Sequence, residues 1–184
     1  MNPINHYQIS NIIPVNESAL INDIYLIALY AAQIPPHLAL SINGKLFTLT
    51  VKGPVINGEI TSLIKVIKKK NIETIFIQLS LPELFTIEQL QEEIKKYTLA
   101  YPRVDINIAT CLSPIKDFCS FVYETETENV NFLYDLLPKL FEQKVITTCW
   151  QLNLNNYLNN NSFVLNKYSM HDIYEGIRKN ASVL

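Results

Sequence analysis

The chain has 184 residues, and 48% of them are hydrophobic, which is enough to build a core in one ordinary globular domain, 1–184, without disulfides or a structural metal. Fifteen Lys+Arg against seventeen Asp+Glu leave a net charge of -2, so there is no overall basic field to attract a phosphate backbone, and nucleic acid is excluded as a partner. Three cysteines without C-x-x-C spacing and three scattered histidines exclude a zinc site, and no cofactor motif is present.

The N-terminal stretch Met-Asn-Pro-Ile-Asn-His-Tyr-Gln lacks the basic start and continuous apolar run of a secretory signal. A reduced, cytoplasmic protein is expected. The most apolar early segment, Ile24 to Ile34, is too short to span a bilayer, so no integral membrane segment is expected. Asn22-Asp23 can cap a helix over Ile24–Gln33, which Pro35-Pro36 would stop; a buried first helix is predicted.

His37–Ile42 and Lys45–Val51 are β-rich runs separated by Asn43-Gly44, a pair that tolerates the positive φ angles of a tight hairpin turn. A hairpin is predicted here. Ile60, Leu63, Ile64 and Ile67 recur at helical spacing within Glu59–Lys70, and the run Lys68-Lys69-Lys70 complements a helix C-terminus rather than forming a binding patch. Thr74–Leu79 reads as a buried strand. Thr86-x-x-Gln89 has the form of a capping box for a helix over Ile87–Leu99.

Val104–Thr110 alternates apolar and polar residues as a half-exposed strand does, and an extended loop feeding the next helix is the alternative. Helical patterns follow over Cys119–Glu124 and Val130–Gln143, with Pro138 expected to kink or restart the second. Val145–Leu152 reads as a strand. The asparagine-dominated Asn153–Ser162 suits an exposed loop, and Asp172–Lys179 a short terminal helix.

Two residues in this order carry chemistry. His37 opens a strand and Cys119, in Asp117-Phe118-Cys119-Ser-Phe-Val-Tyr-Glu, opens a helix; a helix N-terminus and a nearby imidazolium both lower a thiol's pKa and create a nucleophile. The plainer readings are a buried small hydrophobe for Cys119 and a strand-edge residue for His37. Cys111 and Cys149 read as core residues, with Cys111 alternatively a resolving partner for Cys119 under oxidation.

The stretches His37-Leu-Ala-Leu-Ser-Ile, Phe118-Cys119-Ser-Phe-Val-Tyr and Tyr168-Ser-Met-His-Asp172-Ile-Tyr174 resemble, in this order, the motifs of the circularly permuted branch of papain-like NlpC-type cysteine hydrolases. That superfamily includes lecithin:retinol acyltransferase-like enzymes. The resemblance implies an α+β, papain-like permuted fold, with a small antiparallel sheet starting at the His37 hairpin and packed against helices, one of them headed by Cys119. It also implies acyl transfer on an amide, ester or thioester, from a small-molecule, peptide or lipid acyl substrate. Cys119 would be the nucleophile, His37 the base, and the residue on the next strand the one that orients the imidazole.

That third position is Thr48, where the family has Glu, Gln, Asn or a second His. A hydroxyl can accept a hydrogen bond from the imidazole but brings no charge to stabilise an imidazolium. A non-catalytic α/β binding protein, either an inactive relative or an unrelated fold, is therefore the competing expectation.

Overall fold

The computed structural model describes residues 6–181, so the start of the stretch inspected for a secretory signal lies outside the described residues. Nine strands and five α-helices are formed among them: β1 (His6–Ile9), β2 (Ile12–Pro14), β3 (Ile24–Leu29), β4 (His37–Ile42), β5 (Lys45–Thr50), β6 (Gly53–Glu59), α1 (Ile60–Lys70), β7 (Thr74–Leu79), α2 (Ile87–Leu99), α3 (Ser113–Val122), α4 (Leu133–Glu142), β8 (Ile146–Leu152), β9 (Phe163–Asn166) and α5 (Met170–Ala181). The fold is α+β. One sheet has seven strands in the order β2-β8-β7-β3-β4-β5-β6, antiparallel except for the parallel β2–β8 pair, and β1 pairs with β9 in a separate two-stranded sheet.

The expected helix over Ile24–Gln33 is instead β3, at the middle of the large sheet between β4 and β7. Every residue from Ile24 to Leu29 is buried, because helices cover both faces of the sheet, and such a strand has no polar alternation to betray it. The six-residue run is bounded by residues with left-handed backbone, Asp23 at φ 61° and Tyr30 at φ 55°. The small sheet expected to begin at the His37 hairpin is thus a larger one with that hairpin set inside it.

Alternate β3 side chains divide the core in two. Ile24, Leu26 and Ala28 join the larger cluster with Leu90 and Ile94 of α2, Ile115 and Phe118 of α3, and Leu136, Leu137 and Leu140 of α4. Tyr25, Ile27 and Leu29 pack on the other face against Ile60, Ile64 and Ile67 of α1. Side-chain period two in the strand and one apolar stripe per helix suffice to make these layers.

Local chemistry sets the boundaries. Asn43 (φ 48°) and Gly44 (φ 78°) form the β4–β5 turn, and the register there pairs Ile42 with Lys45. Thr86 and Gln89 make both halves of the capping box on α2. Lys68, Lys69 and Lys70 occupy the last turn of α1, closed by Asn71 in left-handed conformation, and Lys68 pairs with Glu17.

Three further expectations are corrected. Val104–Thr110 is a loop closed by a single Asp105–Ala109 bridge, the extended-loop alternative. The helix containing Cys119 starts earlier, at Ser113, with Pro114 in its first turn. α4 starts at Leu133, where the Asp135 carboxylate accepts the N–H groups of Asn131 and Phe132, and it runs on through Pro138.

Candidate functional site

Pro35 and Pro36 cannot donate to a ladder and deliver the chain to β4 at His37, which pairs with Leu29 of β3 and is half-buried. On the adjacent strand, Thr48 is 7% exposed. Its hydroxyl lies 2.8 Å from the Leu38 carbonyl oxygen and 3.0 Å from His37 Nε2. A carbonyl can only accept, so the single hydroxyl proton goes to Leu38 and the threonine oxygen must receive a proton from Nε2. The imidazole is therefore held as the Nε2–H tautomer. Nδ1 is left as the basic lone pair, and it makes no hydrogen bond among the described residues.

Burial lowers the His37 pKa below its ordinary value of 6.5. The neutral ring is therefore the resting form near pH 7, which suits a proton acceptor rather than a standing cation.

Cys119 does not head a helix. It lies in the last turn of α3, where its carbonyl accepts the N–H of the capping residue Tyr123. Its side chain is 0% exposed, between the sheet and the helices, and burial pushes the thiol up to about 12. The negative end of the helix dipole adds to this resistance to ionisation. No substrate can approach the sulfur without the core opening. Cys149, on β8, is likewise buried, with its thiol pushed up to about 11.

Cys111, not Cys119, is the cysteine that stands at the start of α3. It is half-buried just ahead of Ser113, and the backbone N–H groups of Leu38, Leu112 and Cys111 itself act on its thiol. Leu38 directly follows His37, so the thiol reaches the start of the strand that carries the imidazole. Burial raises the Cys111 pKa, and the three N–H groups oppose that rise by favouring the thiolate. The N-terminal turn is itself ordered by side chains: Ser113 Oγ accepts from Thr110 N–H at 3.0 Å, and Thr110 Oγ1 accepts from Leu112 N–H at 3.2 Å. The signal in the sequence was Ser113-Pro114, because proline in a first turn marks a helix start.

The closing segment lies next to this region. Tyr168 is buried, accepts a 3.3 Å hydrogen bond from Leu133 N–H, and its backbone carbonyl accepts from the Tyr134 hydroxyl. Asp172 and Ser169 cap α5 by exchanging hydrogen bonds. A Cβ on Gly176 would come within 3.2 Å of the Pro35 ring, so α5 lies close against the residues that lead into His37. Tyr101 donates its hydroxyl to the Asp117 carboxylate and Tyr123 to the Ser80 carbonyl.

Among the described residues there is no group of three side chains able to hold a metal ion, and no helix is long and apolar enough to cross a membrane. No family model, curated protein or solved structure matches the chain.

Proposed function

We propose that the chain is a cysteine-dependent hydrolase or acyltransferase of the permuted papain-like type, acting on an amide, ester or thioester, with Cys111 in the role first expected of Cys119. What supports this reading is that Cys111 stands just ahead of α3 with the Leu38 N–H among the groups favouring its thiolate, and that His37, the residue before Leu38, is hydrogen-bonded to Thr48.

In this reading His37 Nδ1 takes the thiol proton as sulfur bonds to the acyl carbon. The carbonyl oxygen, now negative, is stabilised by backbone N–H groups at the start of α3. Collapse expels the amine, alcohol or thiol, which takes the proton from His37, and leaves an acyl-thioester on Cys111. Water releases the acid; a second nucleophile would complete a transfer. Thiol and imidazole both rest neutral, so this is general-base activation of a thiol rather than a preformed ion pair.

Incubation with p-nitrophenyl acetate followed by peptide mapping by mass spectrometry tests it. The expected result is an acetyl group on Cys111 and not on Cys119 or Cys149, absent in Cys111→Ser and formed about 10²- to 10⁴-fold more slowly in His37→Ala. Equal modification of all three cysteines, or none of Cys111, overturns the proposal.

The competing reading, a non-catalytic binding protein, is favoured by Thr48, which offers His37 an oxygen but no charge. The same experiment separates the two, since a binding protein yields no acyl-enzyme.

A further inference from the structure

The loop and helix that carry Cys111 also wall a hollow of about 170 Å³. Thr110 and Leu112, on either side of the cysteine, both line it, with Ile108, Lys116, Val130 and Met170 among the other walls. An apolar cavity of roughly 150 Å³ accommodates a benzene-sized molecule, so this hollow suits one small group rather than a polymer or a long chain.

Its walls mix apolar and polar side chains, and one charge stands in them. Lys116, half-buried at the end of the first turn of α3, forms no ion pair among the described residues. The acids nearby are committed elsewhere. Asp117 receives the Tyr101 hydroxyl, Asp105 receives Asn107 N–H and pairs with Arg103, Asp135 caps α4, and Asp172 caps α5. An ammonium group lining a small hollow of mixed polarity, with no ion-pair partner among the described residues, is complementary to a small anion carrying a short apolar stem. Asn131 and Ser113, also in the lining, add hydrogen-bonding groups for the anion's remaining lone pairs.

We infer that this hollow is a carboxylate subsite, with Lys116 as its specificity-determining residue, and that the substrate carries a compact carboxylate-bearing group beside the bond attacked by Cys111. The identification of the occupant as part of a substrate rests on the acyl-transfer reading above. The carboxylate preference rests on Lys116 and the walls alone.

The two are separated by a binding experiment on the unreacted protein. N-acetylglycine, a carboxylate, and N-acetylglycine amide, its neutral counterpart, are titrated into ¹⁵N-labelled protein at low salt. Shifts of the backbone amides from Thr110 to Lys116 are followed in wild type, Lys116→Met, Lys116→Arg and Cys111→Ser. The acid is expected to shift these amides in wild type and Cys111→Ser, to bind about tenfold or more weakly to Lys116→Met, and to keep its affinity in Lys116→Arg. The amide is expected to bind no better to wild type than to Lys116→Met.

Equal binding of acid and amide, no binding of either, or an acid affinity unchanged in Lys116→Met overturns the subsite. If the acid binds through Lys116 while Cys111 never acylates, the subsite stands and the reaction reading fails. Acylation of Cys111 without any dependence on Lys116 gives the reverse.

Discussion

Cys111 and Cys119 lie at opposite ends of α3, one half-buried just ahead of its first turn and the other enclosed in the core within its last. Backbone N–H groups, that of Leu38 next to His37 among them, favour the Cys111 thiolate, whereas Cys119 lies in the core with Tyr123 near it and has a thiol pushed up to about 12. The residue type is the same at the two positions. What differs is which end of the helix dipole each feels and which layer each faces.

The largest effect comes from forcing a charge into the closed end. Cys119→Asp places a carboxylate where the side chain is 0% exposed, and a loss of more than about 3 kcal/mol is expected in urea unfolding. Cys111→Ser, whose hydroxyl can accept the same N–H groups, should stay within about 0.5 kcal/mol of wild type. Comparable losses at both positions would erase the distinction between the two ends.

A smaller change sharpens the picture of the open end. Thr48→Val keeps the shape but leaves the Leu38 carbonyl and His37 Nε2–H without their partner, which costs about 1–3 kcal/mol. It also releases the tautomer, so the pH at which His37 titrates by NMR should move. An unchanged titration and unchanged stability would mean that the threonine does not hold the ring.

The smallest effect is a pH dependence. The His37 pKa is lowered in the folded chain, so the unfolded chain binds more protons, and stability falls as pH drops through 6.5 and below. His37→Gln lacks this titration, so the difference in melting temperature between wild type and variant should shrink or reverse from pH 7.5 to pH 5.5. A difference that stays constant over that range contradicts the burial of a neutral imidazole.

Much of the architecture was legible in local patterns. The Asn43-Gly44 turn, the Thr86/Gln89 cap and the buried run Thr74–Leu79 each state their structure through short-range chemistry. β3 was not legible, since Ile24–Leu29 is apolar at every position and its strand character comes from β4 and β7 on either side, which lie outside any local window. β6 was also missed. Gly53, Pro54 and Gly58 are poor strand formers, and the segment is extended because β5 holds it there across a bulge.

In the candidate site, Thr48 was indicated by the resemblance, as the residue on the next strand that would orient the imidazole, and it is the residue hydrogen-bonded to His37 Nε2. The cysteine did not follow, because the helix start was assigned to an apolar run when Pro114 had marked it earlier. A helix boundary error of a few residues exchanges a position at the dipole's positive end for one at its negative end. For chemistry that depends on thiol ionisation, that is the difference between a reactive group and an inert one.

The outer strands of the large sheet carry a consequence for the protein's behaviour in concentrated solution. β2 is only three residues long and ends in Pro14; β6 opens with Gly53-Pro54 and its register against β5 is broken by a bulge. Neither rim offers a long, flat row of unpaired amides to a strand from another molecule, so the very apolar interior is protected from growing into edge-to-edge aggregates.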